Sequence, residues 1–234
     1  MEFRTVRCHE AGHPEVRFEV RNPLPVPDIE RMVLRYFEEG VAAGTTFEPG
    51  QTVVIGSLLG RLHADGDGTL VLRALEADGW AEDIGPGLMR MWRQLEVARS
   101  VGLLPDFSHP ATTVLVCNRV DRDLELYFMQ RNERQQPQES GWYIVCGEED
   151  HDHEDASQFE FRSRAAIIAS QPFLDEFLGL PPGADVIVQV ARREAGEAHC
   201  VGQVFVEGEP REPEPDSYLA ARNRAAMEES PIDR

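Results

Sequence analysis

Residues Ser140–Gly147 form a short aromatic and β-branched run that passes directly into Glu148–Asp155, six carboxylates in eight residues with no cation among them. The first run has the composition of a buried strand. The second cannot be buried as it stands, because each unpaired charge would cost several kcal/mol. Those carboxylates must therefore face water, a metal or a cationic partner. A strand that ends in an acidic loop points to recognition of something positive more than to a reaction.

The chain has 234 residues and is 41% hydrophobic, enough for one large domain or two modest ones. No apolar run approaches the roughly 20 residues that a membrane span needs. The start, Met1-Glu2-Phe3-Arg4, lacks the layout of a signal peptide, so a cytoplasmic protein is expected. Cys8, Cys117, Cys146 and Cys200 lie far apart and read as reduced packing residues. A net charge of −19 argues against nucleic acid and anionic membranes and in favour of a basic protein partner. The excess is uneven. Residues 1–108 carry 17 acids against 11 arginines, residues 109–207 carry 18 against 8, and residues 208–234 carry 7 against 4.

Phe3–Cys8 and Val16–Val20 alternate like strands around a turn at His9–Pro14. Pro23, Pro25 and Pro27 make a stiff connector, and Asp28 is placed to cap an amphipathic helix carrying Ile29, Met32, Val33, Tyr36 and Phe37. Gln51–Leu59 and Thr69–Leu75 suit a strand pair around Asp65–Gly68. A second helix follows Pro86 with Leu88, Met91, Trp92, Leu95 and Ala98. Pro105–Pro110 is the expected boundary. Beyond it, Thr112–Asn118, Leu124–Gln130, Gly141–Cys146, Val186–Ala191 and Cys200–Val206 suit strands, and Pro172–Leu178 a short helix. Arg131–Glu139 reads as an exposed loop. The Glu-Pro alternation after Glu207 predicts disorder, with a transient helix over Tyr218–Met227.

His9-Glu10-Ala11-Gly12-His13 matches the H-E-x-x-H pattern, in which two imidazoles one helical turn apart hold zinc and the Glu serves as base. Pro14 biases His13 away from the α region, Gly12 weakens a helix, and no third ligand is apparent, so a turn is the better reading. His151 and His153 are the other metal candidates, and a solvated acidic loop is preferred for them; no metal or cofactor is expected. Asp65–Gly68 lacks the ligand positions of a calcium loop. No G-x-S-x-G, P-loop or G-x-G-x-x-G motif occurs. Cys146 is a conceivable nucleophile, but its apolar and acidic setting would raise its pKa. A Trp on a strand such as Trp142 is more often a core residue than a ligand platform.

The order Ser140-Gly141-Trp142, an apolar strand, Gly147-Glu148-Glu149, an acidic stretch, Pro172–Leu178 and Leu180-Pro181-Pro182-Gly183 before a last strand resembles the immunity protein 33 family. The likeness spans about residues 110–192. Just after Gly147 the chain departs from the family pattern, with His151 and His153 where an aromatic residue would be expected. The resemblance implies a non-enzymatic domain that binds and blocks a cognate toxin, with Trp142, Gly147, Glu148 and Glu149 in its core motif.

The expectation is thus an α+β protein of mostly antiparallel sheets with a few amphipathic helices. It has an unassigned lobe at 1–108, an immunity-like domain at 109–207 and a disordered acidic tail at 208–234. Its expected partner-binding residues are Trp142, Glu148, Glu149, Asp150, Asp152, Glu154 and Asp155. The alternatives are a zinc-dependent hydrolase built on His9, Glu10 and His13, and a general interaction module unrelated to toxins.

Overall fold

A computed structural model of the chain describes residues 1–24, 28–76, 79–194 and 197–228. Pro25 and Pro27 of the expected connector lie outside the described residues, as does 229–234 of the tail. The fold is α+β, as expected, and it divides into two compact units, Met1–Trp92 and Arg93–Arg234. The division falls inside a helix, earlier than the Pro105–Pro110 segment that composition suggested.

The first unit is built on β1 (Glu2–Arg4), β2 (Val16–Glu19), β3 (Thr52–Ile55), β4 (Leu58–Ala64), β5 (Leu70–Glu76) and β6 (Gly79–Ala81). The sheet order is β1-β2-β5-β4-β3, with β6 added on β5 and only β2–β5 parallel among the named strands. The expected strand Gln51–Leu59 is two strands, broken at Gly56 and Ser57. Helix α1 (Ile29–Ala42) buries Ile29, Val33, Phe37 and Val41, residues spaced by four that form one stripe. Met32 and Tyr36, assigned to the same face from the sequence, are exposed at its margin. Asp28 does not cap α1. Its backbone is left-handed and its carboxylate pairs with Arg31 at 3.1 Å.

The second unit carries a seven-stranded mixed sheet, entered from helix α2 (Gly85–Ser100). Its strands are β7 (Thr113–Cys117), β8 (Leu126–Arg131), β9 (Glu139–Cys146), β10 (Phe159–Ser163), β11 (Ala184–Glu194), β12 (Glu197–Val206) and β13 (Glu209–Arg211). The order is β10-β7-β9-β8-β11-β12-β13, antiparallel throughout except where β7 runs parallel to β9. One face packs its alternate residues, Val114, Val116, Trp142, Ile144, Tyr127, Met129, Val186, Val188 and Val204, into a single apolar core. Ile167 of helix α3 (Arg164–Ser170) and Leu174 and Phe177 of the 3-10 segment Pro172–Phe177 fill the same core. Arg131, expected in an exposed loop, ends β8 and is 1% exposed.

The tail is not disordered over its described residues. It adds β13 and helix α4 (Tyr218–Glu228), which buries Leu219, Ala220 and Ala226. Sequence periodicity is weak here, and the anchoring is largely polar. The Tyr218 hydroxyl donates to Glu176 at 2.9 Å, and Arg222 pairs with the same carboxylate. Asn223 accepts from the Gly202 N–H at 2.9 Å and donates to the Gly202 carbonyl at 2.8 Å. Asn223→Ala leaves both buried backbone groups unpaired and is expected to cost about 1–3 kcal/mol in chemical denaturation. A detached tail would show no change.

Candidate functional site

The H-E-x-x-H segment is a 3-10 turn, Cys8–Ala11, followed by Gly12 in a left-handed conformation, and not a zinc helix. Glu15 organises it: its carboxylate accepts from the Thr5 hydroxyl, the His9 N–H at 3.0 Å, the His9 ring at 2.7 Å and the Cys8 N–H at 3.4 Å. Burial works against ionisation of Glu15, but the Thr5 hydroxyl and these N–H donors outweigh it and hold its pKa down to about 2. His13 faces elsewhere. Its Nδ1 donates to the Pro14 carbonyl at 2.7 Å while Nε2 accepts from the Phe47 N–H at 2.9 Å. Both histidines are committed to other partners, and the hydrolase arrangement is not formed.

The β9–β10 connection is the richer site. The family-like Ser140-Gly141-Trp142 begins it with a bulge: Thr113 pairs with Glu139, but the next pair is Leu115 with Tyr143. The Ser140 hydroxyl accepts from the Trp142 N–H at 3.1 Å. Trp142 is 2% exposed, donates from Nε1 to the Leu178 carbonyl at 3.2 Å and lies 5.6 Å from the Arg131 guanidinium. It is a core residue, which corrects its assignment to a partner-facing surface: an indole of this size on the inner face of a central strand is needed to fill the core. Burial, then the nearby charge of Arg134, pushes Arg131 down to about 10.

The acidic loop is not uniformly unneutralised. Arg119, in the turn after β7, reaches Glu148 and Asp150 at 2.7 Å each, and Arg122 lies 3.7 Å from Glu148. The Arg119 contact lowers the Asp150 pKa. Asp155 caps the 3-10 turn Ala156–Gln158 by accepting from the Ser157 N–H at 2.9 Å, and its pKa is lowered by the Ser157 side chain and then its backbone. Asp152 accepts from the Glu154 N–H at 2.9 Å. Glu149, Asp152 and Glu154 are exposed and hold no ion pair among the described residues. These three are the free negative groups.

Beneath them lies a cluster that the sequence reading only half found. Cys117 ends β7 and Cys146 ends the adjacent parallel strand β9; the loop then folds His151 and His153 back over the two thiols. The Cys146 Sγ is 3.0 Å from the His151 Nδ1 and 3.3 Å from the His153 Nε2, and the Cys117 Sγ accepts from the Cys146 N–H at 3.3 Å. The four donor atoms all lie within 4.8 Å of one another. Burial raises the Cys146 pKa, as expected from its strand setting. Burial, with His151 alongside, lowers that of His153. Cys117 was missed because 29 residues separate it from Cys146.

The outer face of this sheet is partly open. Phe128 is 38% and Phe161 60% exposed. Phe128, Tyr143, Val145, Ile187 and Phe205 line a shallow groove of about 370 Å³.

Residues 93–196 match the family model of the Imm33-like domain, in agreement with the resemblance read over about 110–192. No curated protein and no solved structure matches the chain. Among the described residues no helix is long and apolar enough to cross a membrane.

Proposed function

We propose that the chain is an immunity-type binding protein, non-catalytic and cytosolic, which neutralises a basic cognate toxin through the acidic end of its second sheet. The observation that carries this reading is the Imm33-like match over residues 93–196, the segment that contains the loop and most of the sheet. The exposed Glu149, Asp152 and Glu154 support it, because carboxylates that hold no ion pair among the described residues can pair with cations across an interface. Phe128 and Phe161 on the outer face would supply the apolar contact that charge alone does not.

Charge at the rim of an interface acts mainly on the association rate, by about 10–1,000-fold at low salt. The combined substitution Glu149→Arg, Asp152→Arg and Glu154→Arg is therefore expected to slow association with the partner by that order while leaving the melting curve unchanged. The partner to use is the product of the neighbouring gene, expressed to arrest growth. Co-expression of the chain should restore growth, and the triple variant should not. A neighbour that is harmless, or rescue by the triple variant as complete as by the parent, would remove the acidic loop from this role. Glu148, Asp150 and Asp155 are left intact because their substitution would also disturb the ion pairs and the cap.

A further inference from the structure

We propose that Cys117, Cys146, His151 and His153 form a structural zinc site. The donor set is two thiols and two imidazoles, the soft, tetrahedral combination that zinc takes in closed structural centres. With bonds of about 2.3 Å to sulfur and 2.0–2.1 Å to nitrogen, tetrahedral geometry sets neighbouring donors roughly 3.3–3.8 Å apart. The two sulfur–nitrogen separations at Cys146, 3.0 and 3.3 Å, need only small outward movements to meet that spacing. The outer contacts fit as well. The His151 Nε2 faces the Gln158 Oε1 at 3.2 Å, so its proton sits on that side and the Nδ1 lone pair points to the cluster. Asn118 donates to the same Gln158 oxygen at 3.0 Å and helps to hold it. The Cys146 N–H aimed at the Cys117 Sγ is the kind of donor that favours a thiolate.

A metal-free cluster accounts for less. Hydrogen bonds explain the pairwise contacts, including that of the Cys117 sulfur with the Cys146 N–H, but not why all four donor atoms gather within 4.8 Å of one another. Binding balances simply: Zn²⁺ enters, two thiol protons leave, and the centre of two thiolates, two neutral imidazoles and one dication carries no net charge. Neutrality matters because three of the four side chains are buried, where a net charge would be costly. The site also explains the shape of the loop. Two of its eight residues are drawn inward as ligands, which turns Glu149, Asp152 and Glu154 to solvent. The proposal does not depend on who the partner is.

The test uses the full chain purified without a polyhistidine tag. Elemental analysis is expected to find about one zinc per chain, and chelation to lower the melting temperature by on the order of 10 °C. Cobalt(II) added to the apoprotein should give the intense visible bands of tetrahedral coordination together with a thiolate charge-transfer band. Gln158→Leu, which removes the acceptor behind His151, is expected to weaken zinc binding by about 10–100-fold. Cys146→Ser and His153→Asn should weaken it by more. His153 is the least buried ligand, so its variant serves if Cys146→Ser does not fold. Cys8→Ser and Cys200→Ser should leave the zinc content unchanged. Zinc well below one equivalent with no thiolate band from cobalt would overturn the assignment, as would full zinc content in His153→Asn.

Discussion

Asp175→Ala is expected to destabilise the Arg93–Arg234 unit by about 3–5 kcal/mol, the cost of leaving a buried charge without its partner. Asp175 and Arg164 are 6% and 4% exposed at their side chains and meet at 2.9 Å. The same carboxylate oxygen accepts from the Gln94 amide at 2.8 Å, and that amide also reaches the Asp175 carbonyl at 2.8 Å. Arg164 contacts the Ser108 carbonyl besides, at 3.4 Å. One ion pair thus ties α2, the loop that leads to β7 and α3 to the 3-10 segment. Its removal strands the guanidinium in the core. Urea denaturation measures the effect as a fall in midpoint at constant slope. Replacing both members by apolar residues, Arg164→Met with Asp175→Leu, should cost less than Asp175→Ala alone, since no charge is then left buried. A loss under about 1 kcal/mol for the single variant would show that the pair is not the tie described.

Gly141→Ala should cost about 2–5 kcal/mol, for two separable reasons. Gly141 has φ 82°, a conformation that costs an L-residue about 1–2 kcal/mol. An added Cβ would also lie 2.3 Å from the Asn132 carbonyl oxygen, a backbone atom that cannot swing aside, and relieving such a clash costs about 1–3 kcal/mol. Gly183 separates the two terms. It has φ 87° but open space around the position of a Cβ, so Gly183→Ala should show the conformational cost alone. Equal losses at the two positions would mean that the backbone at Asn132, just beyond β8, yields freely and the bulge is soft. The bulge carries Trp142 into the core, so the same measurement tests whether the role of Ser140-Gly141-Trp142 is geometric.

Much of the architecture could be read from local pattern. Alternation marked β7, β8, β9, β11 and β12 to within a few residues, because an inward-facing side chain at every second position is a local requirement of a packed sheet. The α1 stripe of Ile29, Val33 and Phe37 was legible for the same reason. The three-residue strands β6 and β13 were missed, and so were β10 and α3. Phe159–Ser163 is a short edge strand that leaves Phe161 exposed, and Arg164–Ser170 is a seven-residue helix with one buried apolar residue, Ile167. Neither carries a stripe long enough to recognise. The α4 region was placed correctly but judged transient, since the contacts that hold it, Tyr218 and Arg222 to Glu176 and Asn223 to Gly202, join residues far apart in the chain.

The amino-acid order alone determined the strand pattern, the acid excess and the supply of thiols, imidazoles and carboxylates, all of which follow from composition and short-range periodicity. Only the tertiary structure decided which of those groups meet. Arg119 neutralises Glu148 and Asp150 because the turn after β7 lies beside the end of β9, whereas Glu149, Asp152 and Glu154 are left free. Cys117 joins Cys146 because β7 and β9 run parallel and end side by side. Electrostatic pairing and ligand geometry act over a few ångströms, and those distances are set by the order of the strands in the sheet, which no local pattern encodes.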